Sequence, residues 1–338
     1  MANWTLITWN LNRNSIGETG AQALAEALKT NSTLTALDLE ENSFGDDGAQ
    51  ALGAALKVNS TLTTLHLGSC SREGYSIGDY GAQALSEALK INSTLTTLIL
   101  SGNSIASYGA QALAEALKTN STLTTLNLRY TSIGENGAVA LSEALKTNTT
   151  LTTLHLAGNL IGENGAVALS EALKTNTTLT TLNLSTSSMG ENGAQALGEV
   201  LKTNSTLTTL DLQYNSIGDN GAQALAEALK TNSTLTTLDL HIIFVFWIKS
   251  GNDILQESSL FLNDLVRRGT CGFFMQGVSM YLMALLETTE PAIGSRKIGG
   301  SAIQKLAEVF ALVDENSIGD YQIGSLGALN PEKYSFLN

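Results

Sequence analysis

The chain has 338 residues, 43% of them hydrophobic, only two prolines, and a formal net charge of −13. That hydrophobic share can supply a continuous core, and the proline count excludes a proline-rich linker. The acidic balance, with no run of Lys or Arg, argues against nucleic acid or an anionic membrane as partner.

Taken in order, the N-terminus MANWTLITWNLN has no basic segment and no long apolar run, so no signal peptide is read there. Two cysteines, Cys70 and Cys271, cannot build a disulfide framework. Both features fit a reducing, cytoplasmic setting. The body of the chain is one unit copied many times, of which Thr203 to Lys230, TNSTLTTLDLQYNSIGDNGAQALAEALK, is a clear copy. Its first half, L-T-T-L-x-L-x-x-N, predicts nine short strands, from Leu6/Trp9/Leu11 to Leu235/Leu238/Leu240. The last two apolar residues of each set are two apart and so point to the same side of a strand. The step is 28 residues except between Leu62 and Leu95, where it is 33.

The second half, I-G-D/E-x-G-A-x-A-L-x-E-A-L-K, predicts a helix. Ala222, Leu225, Ala226 and Leu229 follow the i, i+3, i+4, i+7 rule and give one apolar face. An acid in the first turn (Glu163, Asp219) and a Lys in the last (Lys174, Lys230) suit the helix dipole. Strand then helix, always in one direction, implies parallel strands joined by helical crossovers. Helices are wider than the ~4.8 Å strand spacing, so such a stack curves with its strands inside.

The pattern L-x-x-L-x-L-x-x-N-x-I-G followed by an Ala/Leu helix, over residues 4–240, resembles the leucine-rich repeat family. Within it the chain is similar to the ribonuclease-inhibitor-like subclass, which includes the repeat arms of NOD-like receptors and the Ran GTPase-activating proteins. The resemblance implies an α/β, right-handed horseshoe solenoid, with parallel strands on the concave face and helices on the convex face. It also implies protein binding without catalysis. The alternatives are a regulator of an enzyme, as a small-GTPase activator or an inhibitor, and an immune sensor arm without its nucleotide-binding module. The chain departs from those members in lacking their many cysteines, a phosphate-binding Gly-Lys loop and a strongly acidic tail. The family's post-strand asparagine forms a hydrogen-bonded ladder between repeats. Here it is Asn14, Asn42, Asn103, Asn159 and Asn215, replaced by Tyr75, Thr131 and Ser187, which predicts an interrupted ladder.

The Asn-X-Ser/Thr sequons include Asn3, Asn31, Asn59, Asn92, Asn120, Asn148, Asn176, Asn204 and Asn232. A secreted glycoprotein is one reading. The reading preferred here is that eight of them share a repeat position where Asn tolerates the left-handed conformation that ends a helix.

Recognition must lie where the copies differ. Two outward strand series, one with Asp38, Ile99 and Asp211 and one with Arg129, form a mixed polar lining with acidic ends. The third repeat has five extra residues within GSCSREGYS, on the strand-to-helix rim. Tyr75, Tyr80 and Tyr108 are expected to cluster there, with Ile99 and Tyr130 nearby. Exposed aromatic residues are what binding hot spots are made of. The partner-binding candidates are therefore Arg72, Tyr75, Tyr80, Ile99, Tyr108, Arg129, Tyr130, Asp38, Asp211 and Tyr214. Drift among near-identical repeats is the competing explanation. No catalytic, metal or cofactor site is read: His66 and His155 stand three repeats apart, roughly 14 Å at strand spacing, and an open sheet face encloses nothing.

After Leu240 the period breaks. Residues 241–338 are read as a C-terminal cap with two degenerate repeat units, KIGGSAIQKLAEVF and DENSIGDYQIGSLGAL, the alternative being a separate small domain. The apolar run at 272–286 falls short of the ~20 residues a membrane span needs. At the other end only Trp4 and Trp9 are available to cover the first repeat. A monomer is expected, or weak self-association through that end.

Overall fold

The computed structural model describes residues 6–69 and 76–240. Along them strands and helices alternate without exception: β1 (Thr8–Asn10), α1 (Glu18–Thr30), β2 (Ala36–Asp38), α2 (Gly45–Leu56), β3 (Thr64–His66) and α3 (Asp79–Leu89). Then come β4 (Thr97–Ile99), α4 (Ser107–Leu117), β5 (Thr125–Asn127), α5 (Gly134–Leu145), β6 (Thr153–His155) and α6 (Gly162–Leu173). The last elements are β7 (Thr181–Asn183), α7 (Gly190–Leu201), β8 (Thr209–Asp211), α8 (Gly218–Leu229) and β9 (Thr237–Asp239).

All nine strands form one parallel sheet in sequence order. Leu37 pairs with Leu65, Leu65 with Leu98 and Leu98 with Leu126, so each repeat lies directly beside the next. The 33-residue step does not disturb this register, because the extra residues fall between β3 and α3. This is the α/β leucine-rich-repeat solenoid expected from the period. The proposed division at residue 240 and the tail beyond it lie outside the described residues, as does Trp4.

The core runs between sheet and helices. Both same-side leucines of each inner strand are buried, for example Leu98 and Leu100. The helices bury more than the single stripe expected. In α8 the residues Ala222, Leu225 and Leu229 are buried with Ala228, while Ala226 is only half-covered. A helix in this stack touches a neighbour on each side as well as the sheet. The position of Ala226 is Gly53 in α2 and Gly198 in α7, where a Cβ would collide with the backbone of the following helix. At the first strand the apolar positions are open: Leu6, Ile7 and Trp9 are exposed.

Two hydrogen-bonded columns tie the repeats together. In the first, Asn42 Nδ2 donates to the carbonyl of Leu11 (2.9 Å), and Asn103, Asn159 and Asn215 reach back in the same way to Leu67, Leu128 and Leu184. Thr131 and Ser187 do not reach back to the preceding repeat, so the column breaks as expected: the Ser187 hydroxyl bonds Ser185 O (3.2 Å), and the Thr131 hydroxyl bonds Leu128 O (2.9 Å) and Asn159 Oδ1 of the following repeat (2.5 Å). Tyr75 lies outside the described residues.

The second column corrects the reading of the sequons. None of these described asparagines has a positive φ, and Asn31 has φ −72°. From Asn59 to Asn232 they are buried. Each Nδ2 donates to the helix-end carbonyl of the preceding repeat, as in Asn59 to Leu28 (2.8 Å) and Asn148 to Leu117 (2.8 Å). Each Oδ1 accepts amides of its own repeat, as Asn148 does from Thr150 (3.0 Å) and Leu151 (2.8 Å). A helix leaves its last carbonyls without intrahelical donors, and here the next repeat supplies one.

The acids stand in the first turns as expected, and they also act across the repeats. Among the described residues no helix has a side-chain cap from its own capping residue. Asp46 of α2 accepts Gly78 N (2.7 Å) and Gly81 N (2.9 Å) at the start of α3, and Asp79 does the same for Ala106 and Gly109 of α4. Each acid compensates the next helix's dipole and orphan amides.

Candidate functional site: the strand-to-helix edge and sheet face

Every tyrosine among the described residues stands on one edge of the solenoid, where strands lead into helices. Tyr80 and Tyr108 are the second residues of α3 and α4, 71% and 61% exposed. Tyr130 and Tyr214 are in the loops after β5 and β8, 59% and 53% exposed. Arg72 and Tyr75 lie outside the described residues, so the expected three-tyrosine cluster is seen only as Tyr80 and Tyr108 on successive, packed helices. The same edge also carries Tyr214, in the loop after β8.

The loop backbone explains part of this exposure. The residue before the ladder position is left-handed in each described copy: Gly102 and Gly158, but also Arg13, Glu41, Thr186, Tyr130 (φ 52°) and Tyr214 (φ 54°). A bulky side chain with positive φ is uncommon and costs of order 1–3 kcal/mol. The Tyr130 ring lies across Gly158 of the next repeat, where a Cβ would collide with it. Beside it Leu160 replaces the Ser found at Ser104 and Ser132, is left-handed (φ 48°), and is 73% exposed. Sequence reasoning missed Leu160, although a leucine in a column of serines was the available signal.

The sheet face is less free than the sequence suggests. Asp38 Oδ1 accepts Glu40 N (3.0 Å), Asn127 accepts Arg129 N (3.0 Å), and Asp211 accepts Gln213 N (3.1 Å). These side chains turn back to close the strand exit. Asp211 Oδ2 also accepts Asn183 Nδ2 (2.7 Å), while Ser185 Oγ donates to Asn183 Oδ1 (2.8 Å). Gln213 donates to Asp239. Asn183, Ser185, Gln213 and Asp239 thus form a polar strip with Asp211 that was not singled out from the sequence. Ile99 is half-buried in β4.

His155 is half-buried on β6, and its Nδ1 is buried without a hydrogen bond. Burial, and then the nearby Arg129 charge, push its pKa below the ordinary histidine value. Burial, aided by Asp239, pushes the Asp211 carboxyl above the usual carboxylate range. Both groups are half-buried on this face. Arg129 sits over the Tyr130 ring, 5.7 Å from its centroid. Among the described residues no set of three or more His, Cys, Asp and Glu is grouped to hold a metal, and no helix is long and apolar enough to cross a membrane.

The repeat period, the single parallel sheet and the backbone ladder define a leucine-rich repeat protein, and the family comparison agrees. The chain belongs to the Leucine Rich repeat family, matched at residues 2–25, 30–53, 92–114, 119–142, 147–170, 175–198 and 203–226. The copy left unmatched is the third, which holds the insertion. Such repeats are typical of protein-interaction scaffolds and typically non-catalytic. Comparison with curated proteins gives no match.

Three solved structures are similar. The Actin-Binding Site 2 of Leiomodin-1 is 24% identical, with a TM-score of 0.39, over 52% of this chain and 95% of that one. The tropomodulin C-terminal domain of Caenorhabditis elegans is 16% identical, with a TM-score of 0.39, over 46% and 92%. The leucine-rich repeat-containing protein LegL7 of Legionella pneumophila is 16% identical, with a TM-score of 0.47, over 93% and 92%.

Proposed function

We propose that the chain is a non-catalytic scaffold that binds a protein partner along the strand-to-helix edge and the adjoining sheet face. The observation that carries this is the placement of Tyr80, Tyr108, Tyr130 and Tyr214, all exposed on one edge. Two of them hold a backbone conformation that favours glycine. Every described copy shares that loop conformation, so it is the side chain that marks these positions, and tyrosine is enriched among binding hot spots. A rigid ladder of repeats holds these side chains in place, which lowers the ordering cost of association.

The finer parts of this reading follow. The long helical crossovers and the 28-residue period favour the ribonuclease-inhibitor-like type. The two cysteines and the buried sequons favour a cytoplasmic setting. The exposed Leu6, Ile7 and Trp9 supply an apolar surface for weak self-association.

The test replaces the four tyrosines with alanine and compares partner recovery by quantitative affinity purification. The control is Val58→Ala with Ile91→Ala, two exposed apolar residues on the opposite, helix-to-strand edge. A protein lost from the tyrosine variant and kept by the control supports the reading. Equal recovery by both variants contradicts it.

A further inference from the structure

The sheet face carries four acids, Asp38, Glu40, Asp211 and Asp239, and a single arginine, Arg129, at its outward positions. In a chain with 31 acidic residues, an arginine on such a face is expected to find a carboxylate. Arg13 does so with Glu41 of the next repeat, and seven helix-end lysines pair with a glutamate three residues before them. Among the described residues Arg129 has no ion pair and no side-chain hydrogen bond. Its Nε is buried and unbonded, which leaves the terminal nitrogens as the donors in contact with solvent. Buried polar groups without partners are rare enough in native proteins to require a reason.

Among the described residues, the surroundings fix the backbone at Arg129 and set only small side chains beside it in its column. Its backbone N–H is fixed by Asn127 Oδ1 (3.0 Å), and its carbonyl accepts Gly102 N (2.8 Å). The same column carries Ser101 in the preceding repeat and Ala157 in the following one, both too small to cover it. The Tyr130 ring lies alongside, held over Gly158 by the left-handed backbone. His155, with its own unbonded Nδ1, flanks Arg129 on the next strand. Orphaned donor, small neighbours and strained aromatic are three separate observations at one place.

We propose that Arg129 is the anchor for a single carboxylate of the partner, received end-on by its terminal nitrogens beside the Tyr130 ring. A planar guanidinium and a carboxylate match as two parallel hydrogen bonds. One fixed cation near the charge of Asp211 balances one negative charge. A phosphate, at about −1.5 to −2, would carry an excess into an already acidic face. The partner segment is therefore one with an isolated Asp, Glu or chain-terminal carboxylate set among apolar residues that cover Tyr130 and Leu160. An acidic run would be repelled by the acids towards the two ends of the face, Asp38 and Glu40 on one side and Asp211 and Asp239 on the other. This proposal rests on the reading of the edge as the binding surface.

A random peptide library displayed against the full chain tests both, one apart from the other. Peptides whose binding is lost with Tyr130→Ala report on the edge. Among these the proposal expects an acidic residue whose amide replacement weakens binding at least tenfold. It expects Arg129→Gln to cause a similar loss, and Arg129→Glu to accept peptides with Lys or Arg at that position. Edge-dependent peptides that need no acid and ignore both Arg129 substitutions would overturn the anchor and leave the edge reading standing. Peptides that all bind independently of Tyr130 would overturn the edge reading and the anchor with it. Inorganic phosphate displacing the peptides more strongly than acetate at equal ionic strength would reassign the site to phosphate and also overturn the proposal.

Discussion

The side-chain amide of Asn120 donates to the carbonyl of Leu89, 31 residues earlier, at 2.7 Å. Leu89 is the last residue of α3, and Asn120 follows α4, so this bond closes one helix with the next repeat. The Asn120 Oδ1 meanwhile accepts Thr122 N (3.0 Å) and Leu123 N (2.8 Å) and aims the chain into β5. Replacing it by alanine leaves a buried carbonyl and two buried amides without partners, at about 1–3 kcal/mol for each such group. Asn120→Ala should therefore lower unfolding free energy by at least about 2 kcal/mol. Asn31→Ala should cost less, because Asn31 is exposed and has no described donor contact to an earlier repeat. Urea titrations of the two variants provide the comparison, and equal midpoints would contradict it.

The same bonds bear on glycosylation. An N-linked glycan replaces a hydrogen on asparagine Nδ2, the atom that holds this column together. In the folded protein Asn31 is the one described sequon with its side chain at the surface. An oligosaccharyltransferase offered folded protein should modify Asn31 and spare Asn59 through Asn232, whereas unfolded protein should be modified along the series. Site mapping by mass spectrometry decides it. Glycan at Asn120 of folded protein would show that the column opens.

The interrupted ladder makes a prediction of opposite sign. Asn103 and Asn159 each reach back to the preceding repeat, but Thr131 between them does not. Consecutive asparagines are tolerated at Asn14 and Asn42, where Asn42 Oδ1 accepts the Asn14 amide (3.1 Å). Thr131→Asn should restore a bond to Leu100 O and raise stability by about 1 kcal/mol. A lower denaturation midpoint would mean that the site is too tight for the larger side chain.

The shifted groups on the sheet face give a pH dependence. The His155 pKa is lowered from 6.5, so the unfolded chain takes up a proton that the folded protein resists. Stability then falls as pH drops through the unfolded value and levels off below the folded one. Asp211 acts in the reverse sense at lower pH: its raised pKa means that stability falls as pH rises from 3.8 toward the folded value. His155→Gln should flatten the stability loss between about pH 7 and pH 5. Denaturant midpoints at the two pH values test this, and an unchanged slope would place the acid sensitivity elsewhere.

The strand register was legible because a fixed 28-residue period leaves no other pairing for Leu65 and Leu98. The ladder breaks at Thr131 and Ser187 were legible because neither side chain is long enough to replace asparagine. What a strict repeat conceals is which copy a side chain serves. Asp46 looks the same in sequence whether it caps α2 or, as found, α3. Likewise Asn59 looks the same whether it ends its own helix by backbone conformation or bonds the helix before it. The face residues were half legible. Variation marked Asp38 and Asp211 as recognition candidates, but one carboxylate oxygen of each is taken up by the amide two residues on. The left-handed backbone at Tyr130 and Tyr214 had a sequence signal in the glycines at Gly102 and Gly158 of the same column.

Site-specific photo-crosslinking reads the binding surface most directly. A photoreactive residue is placed at Tyr108, Tyr130 or Tyr214 on the strand-to-helix edge, and for comparison at Ile91 on the opposite edge or Glu143 on the exposed side of α5. The account predicts one and the same protein adduct from the three tyrosine positions and none from Ile91 or Glu143. Adducts from Ile91 or Glu143 with the tyrosine positions silent would place recognition on the helices and contradict it.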